Sequence, residues 1–297
     1  MHMCDENTVA DNAALLADGG ALSRRKFGAL AAGAALASLT MMLPRSAHAL
    51  DVTEQDVTVQ TPDGEADCYF VHPAQGKHPG VLVWPDVLGL RPAFRLMGKR
   101  LAEAGYAVLV VNPYYRSAKS PVVPEGASFQ DASVRETVMP LAQSLSVTTQ
   151  VTDARAFVAY LDAQEAVDST RKMGTTGYCM GGPFVMRTAA TLPDRIGAGA
   201  SFHGGRLVMD APDSPHLLIE QMQAQFLIAI AENDDEREPD TKNVLREHFD
   251  AAGLHAEIEV YEGAMHGWCP PDSMVYNEPQ AERAWARLLN LLASALA

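Results

Sequence analysis

From residue 52 onward, short and nearly unbroken apolar runs alternate with longer stretches whose apolar residues recur every three or four positions. The runs are Gly80–Trp84 (GVLVW), 106–111 (YAVLVV), 198–202 (AGASF) and Gln225–Ala231 (QFLIAIA). They are too short for helices and too apolar for strands with one wet face. They therefore predict strands of a parallel sheet covered on both sides. The periodic stretches predict helices over 95–104, stopped by Gly105, over 147–161, over 244–252, stopped by Gly253, and over 281–297. Residues 57–59 and 68–71, on either side of Pro62-Asp63-Gly64, predict an antiparallel hairpin, and 258–261 a last strand. Residues 112–133, rich in Pro, Ser and Gly, predict a surface excursion. Strand and helix in alternation predict the α/β class: a single doubly wound, mostly parallel sheet with helices on both faces. In such sheets ligands bind outside the carboxyl ends of the strands.

Residues 1–49 follow a different pattern. Ser23-Arg24-Arg25-Lys26-Phe27 precedes a weakly apolar Ala/Gly-rich run over 28–43, followed by Pro44 and Ala47-His48-Ala49. A basic start, an apolar middle and a small-x-small site are the parts of a secretory leader, and the paired arginines resemble the twin-arginine (Tat) export signal. The run is a poor match to a membrane span of about 20 apolar residues. The expected organisation is a cleaved leader over 1–49 and one domain over 50–297. The Tat machinery would deliver that domain to the periplasm or the exterior, with no stable membrane attachment.

The formal net charge is −14. The leader holds four basic and four acidic residues, so its removal leaves that figure unchanged. An acidic surface repels phosphate backbones and anionic lipid, which disfavours nucleic acid as a partner. Past the leader, Cys68, Cys179 and Cys269 remain. An odd number leaves at least one thiol unpaired within the chain; Cys68 and Cys269 could pair, although nothing in the sequence brings them together.

Gly177-Tyr178-Cys179-Met180-Gly181-Gly182 concentrates the chemistry. A Gly-x-nucleophile-x-Gly turn between a strand and a helix holds its central residue in a strained conformation with the side chain above the sheet. At a helix N-terminus the free N–H groups stabilise a thiolate, and the N–H of Met180 would meet a developing oxyanion. A thiol nucleophile needs a base. Of the seven histidines past residue 49, only His203 and His266 lie just beyond the end of a predicted strand. His266 follows the last strand and fits the order nucleophile, acid, histidine; His203 reads as a pocket-lining residue. The acid should follow the strand Gln225–Ala231, where Asp234 is preferred and Asp235 is the alternative. Val87, in Trp84-Pro85-Asp86-Val87-Leu88-Gly89, is the candidate second oxyanion donor. Asp86, Arg116, His203 and Trp268 are candidate substrate-binding or auxiliary positions; Asp86 could contact the Cys179 thiol or cap a helix, and Arg116 could hold a substrate carboxylate.

Gly-Tyr-Cys-Met-Gly-Gly, the Pro-Asp-Val-Leu-Gly segment, the acidic turn at Asp234 and the late Met265-His266-Gly267 together resemble the dienelactone hydrolase family, over almost all of residues 55–297. The resemblance implies a single-domain, cofactor-free α/β-hydrolase with Cys179, Asp234 and His266 as its triad. It also implies that Asp86 matches a family Glu paired with the resting nucleophile. Two family arginines hold the dienelactone carboxylate. Arg116 lies near one of these positions, while the stretch after His266 reads Gly267-Trp268-Cys269-Pro270, without the other. The expected activity is hydrolysis of small carboxylic esters or lactones through an acyl-enzyme, with no metal and no cofactor. A thioesterase or other acyl hydrolase, a non-catalytic binding protein on the same fold and a redox-reactive thiol protein are the alternatives.

Overall fold

The structure, a computed structural model, describes residues 49–297 and Ala10; the predicted leader lies outside the described residues, these two alanines excepted. The described residues hold eight strands: β1 (Val52–Thr61), β2 (Gly64–Pro73), β3 (Gly80–Trp84), β4 (Ala107–Val111), β5 (Met173–Tyr178), β6 (Ile196–Phe202), β7 (Gln225–Ala231) and β8 (Ala256–Tyr261). They form one sheet in the order β1-β2-β4-β3-β5-β6-β7-β8. The pairings of β1 with β2 and of β2 with β4 are antiparallel. All the others are parallel. The hairpin closes where Thr61 pairs with Gly64 around Pro62-Asp63, and Gly64 takes a φ of 135°, which a side chain would resist.

Among residues 49–297 there are seven α-helices: α1 (Pro92–Glu103), α2 (Ala132–Gln143), α3 (Val147–Asp162), α4 (Gly181–Thr191), α5 (Glu232–Arg237), α6 (Thr241–Ala251) and α7 (Glu278–Ala295). Phe94, Met97 and Leu101 of α1 pack with Leu288 and Leu292 of α7 over one face. Phe157 of α3, Phe184 of α4 and Leu245 and Phe249 of α6 pack over the other. Every residue of β3 and β4 is buried between these layers. Each such Leu, Val or Phe side chain contributes about 1.5–3 kcal/mol by leaving water. Local signals set the helix starts. Pro92 opens α1, and at α3 Ser146 and Thr149 cap each other reciprocally, at 3.2 and 2.8 Å.

Three expectations change. Residues 132–143 are helical, although Pro140 inside them interrupts the pattern. The acidic run after β7 is itself the helix α5. The segment 112–131 is no mere surface excursion, since Tyr114, Tyr115 and Val123 are buried. Whether Cys68 and Cys269 pair was left open by the sequence, and both thiols are free. Cys68 belongs to the core on the α3–α4 side and Cys269 to the core on the α1–α7 side, so the sheet separates them.

Candidate active site

Cys179 stands between the end of β5 and the start of α4 with φ 51°, a conformation that non-glycine residues rarely adopt. Packing around it explains the flanking glycines. A Cβ on Gly177 would lie 2.2 Å from the Gly181 carbonyl oxygen, and one on Gly181 would lie 2.4 Å from that of Trp84. The helix can thus meet the strand ends only where no side chain intervenes.

His266, in the loop after β8, presents Nδ1 to Asp234 Oδ2 at 2.7 Å. Its backbone N–H donates to Asn233 Oδ1 at 2.8 Å, so one short helix, α5, supplies partners to both the ring and the main chain of the same residue. Asp235 points elsewhere, with both carboxylate oxygens on Lys242 Nζ at 2.5 and 2.6 Å. Burial pulls the His266 pKa down, but the charges of Asp234 and Cys179 and the hydrogen bonds to them outweigh it, and the net shift is well upward. The Nε2 of His266 has no nitrogen or oxygen partner and is left for the Cys179 sulfur.

His203 follows β6 with φ 40° and is 1% exposed. Its ring centroid lies 5.1 Å from that of His266 and 5.0 Å from that of Trp268. Burial shifts its pKa down, which favours the neutral ring, although Cys179 opposes that shift. His203 therefore lines the pocket, as expected from its position. Trp268 does not: it is fully buried behind His203, stacked on Tyr261 at 5.2 Å, and supports the imidazole from outside the pocket.

Cys179, His203, His266, Asp86 and Val87 border one cavity of about 90 Å³. The segment 126–130 and the loop at Asp272–Met274 form its rim. Ser128 Oγ lies 2.9 Å from Met274 Sδ and joins the two. Met180, next to Cys179, is buried beneath. Asp86 is held by Arg91 through Nη1 at 2.7 Å and Nη2 at 2.9 Å, and it also accepts from the Leu88 N–H at 2.9 Å. Its carboxylate thus closes a turn in the loop after β3 and forms an ion pair, rather than capping α1, whose N-cap is Arg91, while remaining close enough to Cys179 to feel its charge.

Arg116 is not part of this site. Its guanidinium bonds Asp63 of the β1–β2 turn at 2.6 Å and Asp153 of α3 at 2.6 and 2.9 Å. The expectation that it binds a substrate carboxylate is corrected accordingly: those two carboxylates already occupy it.

Sequence reasoning missed four residues here. Arg91 and Asp272 carry the pocket's ion pairs, Asn233 holds the His266 backbone, and Tyr114 donates to the Val87 carbonyl at 2.8 Å while approaching Met180 Sδ at 3.3 Å. Only Asn233 had a local signal, its place beside the acid. Among the described residues no group of three or more His, Cys, Asp or Glu is placed to hold a metal ion.

A family model described as the dienelactone hydrolase family matches residues 66–296. The chain belongs to that family. A relative from Methylorubrum extorquens, named "Putative carboxymethylenebutenolidase", is 27% identical over 238 residues, 78% of this chain and 78% of its own. Among solved structures, the "Putative Dienelactone Hydrolase" of Klebsiella pneumoniae is similar at 20% identity with a TM-score of 0.70, over 82% of this chain and 99% of its own. The dienelactone hydrolase of Anabaena variabilis is similar at 18% identity and a TM-score of 0.59, over 83% and 99%. At these identities the two structures attest the α/β-hydrolase fold. Family membership makes this chain a dienelactone hydrolase-like hydrolase, and small esters and lactones are the substrates that fit it.

Proposed function

We propose that the protein hydrolyses small carboxylic esters or lactones with Cys179 as nucleophile, His266 as acid and base, and Asp234 as the group that orients His266. The single observation that carries this reading is the His266 imidazole, bound to Asp234 at Nδ1 and raised in pKa by both Asp234 and Cys179. The resting pair is thiolate and imidazolium. The sulfur attacks the acyl carbon, and the N–H groups of Met180 and Val87 receive the oxyanion. The C–O bond then breaks as His266 gives its proton to the leaving oxygen. His266, now neutral, takes a proton from water, whose oxygen attacks the thioester; the C–S bond breaks, the acid departs and the thiolate returns. A cavity of about 90 Å³ suits a short acyl group.

The test compares wild type with Cys179→Ala on p-nitrophenyl acetate, with intact-mass detection of the acyl-enzyme. Turnover confined to wild type, with an added acyl mass on Cys179, is expected; equal turnover by both proteins would remove the nucleophile.

Export of the domain by the leader at 1–49 is part of the same proposal, supported by the Arg24-Arg25 pair and the Ala47-His48-Ala49 site. In a bacterial host, replacing both arginines by lysine should hold the protein in the cytoplasm. Unchanged delivery to the periplasm would overturn twin-arginine export.

A further inference from the structure

The mechanism uses one of the two histidines that border the Cys179 cavity. The other, His203, enters it from the neighbouring strand end. Tyr178 of β5 pairs with Phe202 of β6, so Cys179 and His203 are the first residues past a matched pair of strand ends. Cys179 donates its N–H to the Phe202 carbonyl at 3.0 Å, and His203 donates its own to that of Ala229 at 2.8 Å. Both residues then turn with positive φ, 51° and 40°. Non-glycine residues rarely take that conformation, and it persists where the surroundings over-determine it. A Cβ on Gly204 would lie 2.3 Å from Ser201 Oγ, so close packing fixes the second turn. Around the buried His203 ring stand Trp268 at 5.0 Å, His266 at 5.1 Å and Tyr178 at 6.1 Å between centroids. Among the described residues neither of its ring nitrogens has a nitrogen or oxygen partner; its hydrogen bond is with Cys179.

A buried imidazole without oxygen or nitrogen partners is a liability to stability that an apolar ring would not be, so its place against the sulfur calls for a chemical reason. The titratable and charged groups facing that sulfur are few. His266, oriented by Asp234, comes from the loop after β8; Asp86, held by Arg91 and Asp272, comes from the loop after β3. Burial, together with the charge of His266, keeps the His203 ring neutral. A neutral imidazole has one N–H and one lone pair, and an anionic sulfur attracts the N–H. We infer that His203 is a second catalytic imidazole, a neutral N–H donor to the Cys179 thiolate beside the charged His266. No proton leaves His203 at any step; it holds the anion while His266 carries the protons. Its bond also offsets the Asp86 carboxylate, whose charge beside the sulfur opposes the thiolate. The effect on hydrolysis rests on the proposed role of Cys179, whereas the bond to the thiolate does not.

The test measures the rate of Cys179 alkylation by iodoacetamide against pH, read by mass on the Cys179 peptide because Cys68 and Cys269 are also thiols. His203→Phe and His203→Leu remove the donor, and His203→Gln keeps an N–H. The inflection should rise by at least about one unit in the Phe and Leu variants, the tenfold that one hydrogen bond to a charged group supplies. In His203→Gln it should return most of the way to wild type. On p-nitrophenyl acetate, kcat/KM of the Phe and Leu variants should show the same displaced inflection and regain wild-type values above it, which damage to the fold would not allow. An unmoved inflection in either folded variant, or a Gln variant no nearer to wild type than Phe, would overturn the donor role. Alkylation needs no ester. A wild type that alkylates with the His203-dependent inflection yet forms no acyl-enzyme would therefore sink the proposed hydrolysis and uphold the His203 bond.

Discussion

Arg91 grips Asp86 with both terminal nitrogens, at 2.7 and 2.9 Å, and turns Nε and Nη2 to Asp272 at 2.6 and 3.0 Å. The arginine that borders the catalytic pocket is thus bonded to two carboxylates of the protein itself. A substrate carboxylate entering there would meet Asp86 and Asp272 before any unshared cation, and like charges brought together in a desolvated site cost several kcal/mol. Neutral esters and lactones are therefore the expected substrates. Phenyl acetate should exceed phenyl hemisuccinate in kcat/KM by at least about tenfold, a difference of about 1.4 kcal/mol. Preference for the anionic ester would mean that Arg91 releases a carboxylate to receive it.

The same triad of charges makes Arg91 a stability determinant. Removing one member of a buried ion pair leaves its partners uncompensated, at a cost of about 3–5 kcal/mol. Arg91→Met should lose about that much in urea unfolding, because the buried Asp86 and the partly buried Asp272 would both be left against an apolar side chain. A loss under about 1 kcal/mol would show that solvent reaches the two carboxylates and compensates them.

Most of the sheet was legible because its strands obey one rule throughout. Gly80–Trp84 and Gln225–Ala231 are apolar at every position that must face a helix layer, and both were read with their observed limits. Cys179, His266 and the preference for Asp234 over Asp235 were legible because chain order and strand ends place them. Arg91, Asp272 and Tyr114 were not, because their roles arise from contacts between segments distant in sequence: Arg91 and Asp272 are 181 positions apart, and Tyr114 reaches Met180 across 66. No periodicity or short motif encodes such pairs. Arg116 failed for the same reason in reverse. Its partners Asp63 and Asp153 lie 53 and 37 positions away, and nothing nearby signals that they hold it.

The two adjacent aspartates after β7 should separate cleanly in kinetics. Asp234 bonds the His266 ring, whereas Asp235 forms a partly exposed ion pair with Lys242. Loss of the orienting carboxylate in a triad lowers kcat by about 10⁴ where the geometry is otherwise kept. Asp234→Asn should therefore fall by about 10³–10⁴ in kcat, a range taken from such triads. Asp235→Asn should stay within about twofold of wild type and lose at most about 1 kcal/mol of stability. Activity ratios on p-nitrophenyl acetate check both, and equal losses would reassign the acid.

The raised His266 pKa has a consequence for stability as well as for catalysis. Unfolded histidine titrates near about 6.5. A folded-state value above that means the native state holds the proton more tightly. The contribution is then fully present below about pH 6.5 and is lost as pH rises through the folded value. Asp234→Asn removes a main cause of the shift. The melting-temperature advantage of wild type over Asp234→Asn should therefore be largest at about pH 6 and shrink on the alkaline side. An advantage that grew with pH would contradict a protonated, Asp234-bound His266.

Tyr114 offers a test of how the oxyanion site is held. Its hydroxyl donates to the Val87 carbonyl at 2.8 Å and lies 3.3 Å from Met180 Sδ, so one phenol ties together the two residues whose N–H groups are proposed to receive the oxyanion. Tyr114→Phe keeps the ring, which is almost wholly buried, and deletes this tie. The Val87 carbonyl would be left without that donor in a dry environment, a penalty of about 1–3 kcal/mol, and the peptide carrying it would be free to turn. Loss of one oxyanion donor outright costs about 10²–10³ in kcat, so a loosened donor should cost about tenfold, with KM little changed because the ground-state carbonyl makes weaker use of the site. A variant that loses stability while keeping its kcat would mark Tyr114 as a packing residue only. A variant that loses kcat at unchanged KM, and still forms the acyl-enzyme on Cys179, would mark it as the residue that positions the oxyanion site.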